Sequence, residues 1–129
     1  NVTVSHVGSG YFILPVYGYV FTQKFHEYHP GVDLATDLGV PVYAADGGTV
    51  MYAGWNPYGY GNLVVLDHGN GWRTYYGHLS RYSVGCGDWA PRGSIIAEVG
   101  STGNSSGPHL HFEMLRFGVA VNPAGYLQF

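Results

Sequence analysis

Histidine changes charge near neutral pH and is also a common metal ligand. This chain carries seven histidines, against only five Lys and Arg and eight Asp and Glu. Three groups of them sit where chemistry could follow. In His29-Pro-Gly-Val-Asp33, Pro30 and Gly31 exclude a helix. The segment therefore reads as a turn entering a strand, which can swing an imidazole and a carboxylate toward one point. In His109-Leu-His111, strand alternation puts both imidazoles on one face. Leu110, Phe112 and Met114 would then pack on the other face, in the core. His78, in Tyr76-Gly-His-Leu-Ser80, ends a hairpin strand. His29/Asp33 and His78 alone are weak signals, since a histidine at a turn or strand end is most often an ordinary surface residue, whereas the His109/His111 pair reads equally well as a metal or catalytic pair and as two exposed histidines. Together, two His and one Asp make the three-ligand set of a catalytic zinc site, whose fourth position is left to water. The remaining histidines could supply acid and base. His26, three residues before His29, competes for the ligand role, whereas His6 and His68 read as solvated.

The elements that must hold these residues are short strands. The chain has 129 residues, enough for one core, with 46% hydrophobic residues to fill it. Glycine (21 residues) and tyrosine (12) are abundant, and helix formers are scarce, a profile of strands and tight turns. Tyr11-Phe-Ile-Leu14 reads as a strand that stops at Pro15, and residues 23–31 as an irregular loop. Strands are expected at 40–44, 49–53, 62–67, 72–76, 94–99, 109–116 and 119–121. His68-Gly-Asn-Gly71 has the turn chemistry of a hairpin. Gly100 to Pro108 is a loop. No stretch has a helical period, so the expected fold is antiparallel and all-β, a sandwich or small barrel. Residues 1–10, rich in Gly and Ser, read as a loose leader, and 11–129 as a single domain.

Composition removes several functions. Clustered cations, which phosphate binding requires, are absent, so no nucleic acid partner is expected. No apolar run is long enough to span a bilayer, so no membrane insertion is expected. The chain begins with Asn1 rather than Met and reads as a processed product or excised domain. The single cysteine, Cys86, cannot form an internal disulfide or a cysteine-rich structural zinc site, and it reads as a small turn residue.

The motifs extend beyond spacing. Besides His29-Pro-Gly-Val-Asp33, the chain contains Gly39-Val-Pro-Val-Tyr-Ala-Ala-Asp-Gly-Gly-Thr-Val50 and Gly59-Tyr-Gly-Asn-Leu-Val-Val-Leu-Asp-His-Gly-Asn-Gly71. It also contains Tyr76-Gly-His-Leu-Ser80 and Gly100-Ser-Thr-Gly-Asn-Ser-Ser-Gly-Pro-His-Leu-His-Phe-Glu113. With these, and Asn122-Pro123 near its end, it resembles the lysostaphin-type (LytM-like) zinc metalloendopeptidases from about Tyr11 to Leu127. The resemblance implies an antiparallel two-sheet sandwich/barrel hybrid with a substrate groove. It assigns His29, Asp33 and His111 as the ligands of Zn2+, and His78 and His109 as the acid/base and transition-state groups. It implies a hydrolase that cuts peptide cross-links or stem peptides of bacterial peptidoglycan, or glycine-rich peptides, through a metal-activated water. It further implies an extracytoplasmic location (secreted, periplasmic or cell-wall associated), a monomer, and further domains in a longer chain. Residues 11–28 match only loosely, and Cys86 and Ala97-Glu98 depart from the pattern without touching the five positions.

Three other readings carry different marks. A non-haem iron oxygenase also uses two His and a carboxylate, but its first His and carboxylate sit two apart in sequence, where His29 and Asp33 are four apart. A phosphohistidine carrier using His109 or His111 leaves Asp33 without a role. A non-cleaving zinc-containing cell-wall-binding or activator module has no need of both His78 and His109. Of the aromatic residues near the groove-forming hairpins, Trp55, Tyr58, Tyr60 and Tyr75 are the candidates to line it.

Overall fold

The computed structural model describes residues 2–4 and 6–129. Ten strands form in chain order: β1 (Val20–Gln23), β2 (Val32–Ala35), β3 (Pro41–Tyr43), β4 (Gly48–Asn56), β5 (Gly61–Asp67), β6 (Trp72–Tyr82), β7 (Trp89–Ala90), β8 (Ile95–Val99), β9 (His109–Arg116) and β10 (Val119–Val121). Among the described residues a single 3-10 turn, Pro123–Gly125, follows, capped by the Asn122 side chain accepting from the Ala124 N–H. Among the described residues no helix is long and apolar enough to cross a membrane.

Every strand pair is antiparallel, as the alternating patterns require. The main path runs β1-β2-β9-β6-β5-β4-β7. β6 is long enough to branch: residues 72–77 pair with β9, and the end near 79–82 pairs with β8, which carries β3 with it. The expected all-β architecture is thus present as one branched network that folds around a shared core. Leu34, Val50, Leu66, Tyr76, Ile96, Leu110, Phe112 and Met114 are all fully buried within it. Burying a side chain of this size contributes roughly 1.5–3 kcal/mol. Tyr76 keeps its hydroxyl satisfied there by accepting from the Ala45 N–H at 3.0 Å and pairing with Thr74 Oγ1 at 2.7 Å.

Two expectations need correction. Residues 11–14 form no strand. They run as an extended strap whose Phe12 and Leu14 pack on the core, tied by the isolated bonds Ile13 N–H to Ala45 O (2.8 Å) and Tyr43 N–H to Pro15 O (2.7 Å). The apolar run is real and lies beside the end of β3, but Pro15 has no N–H to donate, and the run keeps isolated bonds rather than a ladder. His68 is not solvated; it is fully buried. Its Nδ1 bonds Gly47 O at 2.7 Å and its Nε2 bonds Thr74 Oγ1 at 2.9 Å, so the core holds the ring with its polar atoms paired. His68 follows β5 two residues after Leu66 and, like Val64 and Leu66, is fully buried. Ahead of the strap, Ser9 and Gly10 donate backbone N–H bonds to the Asp46 carboxylate at 3.1 and 2.9 Å.

Candidate functional site

Three adjacent strands put the chemistry in one row. Asp33 of β2 lies opposite His111 of β9, and His111 lies opposite Gly77 of β6. Neighbouring strands are about 4.8 Å apart, so side chains on the shared face meet across them. His78 would point away from this row in a regular strand. It does not, because β6 bulges: between Tyr76 and Leu79 it carries one residue more than β5 opposite. His78 takes the left-handed conformation, φ 61°, and its N–H donates to Tyr60 O at 2.7 Å. Such a conformation costs on the order of 1–2 kcal/mol for a residue with a Cβ, and bulges of this kind re-aim a side chain.

His29 reaches the row from the turn before β2. Reciprocal backbone bonds between His26 and His29, at 3.0 and 2.9 Å, close that turn. On the far side the loop 100–108 is pinned against the chain around Gly59. Asn104 N–H donates to Gly59 O at 2.9 Å, and Thr102 Oγ1 donates to Leu79 O at 2.7 Å. Gly103, at φ 75°, packs so closely that a Cβ there would run into the backbone nitrogen of Gly61. Only glycine serves at that position.

Each of four histidines has one ring nitrogen tied to an acceptor. His29 Nδ1 bonds Lys24 O at 3.0 Å, His78 Nδ1 bonds Thr102 O at 2.7 Å, and His109 Nδ1 bonds Gly107 O at 2.9 Å. A carbonyl accepts only, so in each ring Nδ1 carries the hydrogen and Nε2 keeps its lone pair. His111 is reversed: its Nε2 bonds Glu113 Oε2 at 2.7 Å, and its Nδ1 faces Asp33 Oδ1 at 2.8 Å. His29 Nε2 lies 3.2 Å from Asp33 Oδ2, and His109 Nε2 lies 3.6 Å from Asp33 Oδ1. One donor atom each from His29, Asp33 and His111 lies within 4.8 Å of the others. Nitrogen and oxygen donors at this spacing, without cysteine, suit a borderline cation such as zinc. The His78 and His109 rings pack edge to face at 4.7 Å between centroids, beside that cluster.

The electrostatics follow from burial and neighbours. Burial alone would raise the Asp33 pKa, but the hydrogen bond to His111 and the surrounding imidazoles hold it below the ordinary carboxylate value. Burial would lower the His111 pKa, but its two carboxylate partners push it up to about 9. His78 goes the other way: burial lowers its pKa, which favours the neutral ring.

The cluster opens into a groove of about 490 Å3, lined also by Gln23, Pro30, Asn104, Ser105 and Ser106. Tyr28 and Tyr58 stand at its rim, 86% and 87% exposed. Of the aromatic candidates, Tyr58 and Tyr60 line this groove, whereas Trp55 does not and Tyr75 lines a different cavity. His26 stays outside the cluster, bonding Gln23 Nε2 at 3.1 Å. Cys86 is exposed and away from the groove. Glu113 and the Tyr60 hydroxyl were not among the expected functional groups. Glu113 shares the face of His109 and His111 by strand alternation, so its place was open to inference; its contact with Tyr60 crosses from another loop.

An antiparallel β scaffold presenting a histidine–carboxylate cluster in an open groove defines a metallopeptidase-type site. The sequence pattern of peptidase family M23 matches residues 27–123, and the chain belongs to that family. It is 44% identical over 94 residues to the peptidoglycan DD-endopeptidase ShyA of Vibrio cholerae, covering 73% of this chain and 22% of that protein. The catalytic domain of the antimicrobial peptidase lysostaphin from Staphylococcus simulans superposes with a TM-score of 0.79 at 36% identity, covering 84% of this chain and 91% of that domain. A zinc-containing peptidase from Vibrio cholerae gives 0.81 at 36% identity, over 87% of this chain and 39% of that one. The chain spans about a third or less of the length of the first curated relatives it matches.

Proposed function

We propose that this chain is a zinc-dependent endopeptidase that hydrolyses peptide cross-links or stem peptides of bacterial peptidoglycan, or glycine-rich peptides, outside the cytoplasm. The observation that carries the reading is the convergence of His29 Nε2, an Asp33 oxygen and His111 Nδ1 on one point in the groove. Zinc fits this donor set, with His29, Asp33 and His111 as its ligands. When bound, zinc supplies Lewis acidity, polarising a carbonyl and making water acidic enough to react near neutral pH.

This chain's own residues do the rest. His78 and His109 each keep Nε2 as an acceptor, because Nδ1 is committed to a backbone carbonyl. One takes a proton from the attacking water at Nε2, and the other, once protonated at Nε2, donates to the developing oxyanion or the leaving amine. The row Asn104, Ser105 and Ser106 offers polar contacts to an extended peptide backbone, with Tyr28 and Tyr58 on the walls. A substrate in peptidoglycan is supported by the name of the Vibrio cholerae relative, and zinc by that of the solved Vibrio cholerae neighbour. The test is zinc analysis of the purified chain together with mass spectrometry of products from pentaglycine and from purified peptidoglycan. A protein loaded one-to-one with zinc that releases no peptide fragment from either substrate overturns the reading.

A further inference from the structure

Glu113 is a buried carboxylate, 3% exposed, that the chemistry above does not use. Taking a carboxylate out of water is costly unless donors replace the lost hydration. Here both donors converge on one oxygen. His111 Nε2 approaches Glu113 Oε2 at 2.7 Å, and the Tyr60 hydroxyl donates to the same oxygen at 2.5 Å. An ionised carboxylate only accepts, so this contact assigns the Nε2 hydrogen of His111. The opposite nitrogen, Nδ1, is the one aimed at Asp33 and the donor cluster.

Tyr60 has a second hold on the site. Its carbonyl accepts the N–H of His78 at 2.7 Å, at the bulge that turns the His78 ring inward. Its ring lies 5.8 Å from that of His111. One residue between two glycines, Gly59 and Gly61, thus contacts a proposed ligand through Glu113 and a proposed proton-transfer group through its backbone.

We propose that Glu113 and Tyr60 are positioning residues that fix the orientation and tautomer of His111, so that Nδ1 rather than Nε2 faces the metal. The inference rests on the zinc reading of the same site. Partners of this kind, one step behind a ligand, change metal affinity by roughly 10–100-fold when removed. The mild variant is Tyr60→Phe, which deletes the hydroxyl and keeps both the ring and the carbonyl that holds His78. Glu113→Ala deletes the acceptor itself.

The readout is zinc affinity by chelator competition, alongside the 15N NMR signature of the His111 ring in the zinc-loaded protein. Expected are a roughly 10-fold loss of affinity in Tyr60→Phe and a loss of up to about 100-fold in Glu113→Ala. The double variant should bind no more weakly than Glu113→Ala alone, because the hydroxyl acts only through the carboxylate. A space-filling role for Tyr60 would instead give additive losses in melting temperature with no change in affinity. Unchanged affinity and an unchanged ring signature in Tyr60→Phe overturn the positioning role while leaving the metal site standing. A parent protein that takes up no zinc overturns the metal site and this inference with it.

Discussion

His68 and His111 are both buried, 0% and 7% exposed, and both have each ring nitrogen in a hydrogen bond. Their partners differ in charge. His68 bonds a carbonyl and a hydroxyl, and burial pushes its pKa down despite the Gly47 bond and the charges of Asp46 and Asp67 farther off. His111 meets two carboxylates, which raise its pKa to about 9 against the same burial. The first ring is a neutral wedge that fills and pins the hairpin end of the core. The second lies where two anions demand a cation. A proton meets that demand in the metal-free protein, and a divalent ion can replace it. Burial therefore removes a histidine from solvent without assigning its task; the charge of its partners does that.

The comparison breaks most visibly at the anionic end. His111→Ala and Asp33→Ala should each abolish stoichiometric zinc and all measurable peptide cleavage while the far-ultraviolet circular dichroism stays that of a β protein. Zinc retained one-to-one in His111→Ala would place the cation elsewhere. Next in size, His109→Ala and His78→Ala should keep zinc and lower kcat by roughly 10²–10⁴-fold, the usual yield of acid/base catalysis. Cleavage by His109→Ala at the parent rate would remove it from the proton-transfer role. At the neutral end, His68→Ala should leave zinc stoichiometry untouched. It should lower unfolding free energy by about 2–4 kcal/mol, since it opens a cavity and strands Thr74 and Gly47. Urea denaturation of the zinc-free protein measures this, and a loss of zinc in His68→Ala would erase the contrast.

How far the sequence reached follows the same division. β9 and β10 were legible to the residue, because His109–Arg116 alternates and Phe117-Gly118 turns. The convergence of His29, Asp33 and His111 was legible only through the pattern of motifs. No local rule brings a turn near residue 29 beside a strand that begins eighty residues later; the β2–β9 register does. β1 and β7 were missed, since each is short and made only by its neighbour in the sheet. The inward aim of His78 was also hidden, because the bulge that produces it needs a length mismatch between β5 and β6. His68 misled for the opposite reason. Its place in a Gly-Asn-Gly turn argued for solvent, while its register with Leu66 put it in the core.

The subtlest consequence is in the pH dependence of the zinc-free protein. A lowered histidine pKa means that the unfolded chain binds more protons as pH falls below about 6.5, the ordinary histidine value. His68 and His78 both lie in this class, so stability should decline on acidification below that point. His111 has the opposite sign. Its contribution is fully present below about 6.5 and is lost as pH rises through about 9. Asp33 and Asp46, both lowered, add a loss only below about pH 4, outside this window. The unfolding free energy of the zinc-free protein, followed by urea denaturation between about pH 5 and 9.5, should therefore peak near the histidine value and fall on both sides. His68→Ala should make only the acid limb shallower, leaving the share of His78, and His111→Ala should flatten only the alkaline limb. Saturating zinc should also flatten the alkaline limb, because the cation then stands where the proton stood. An alkaline limb that survives in His111→Ala would mean that the two buried rings do not differ in charge, and the distinction between wedge and ion site would have to be drawn on other grounds.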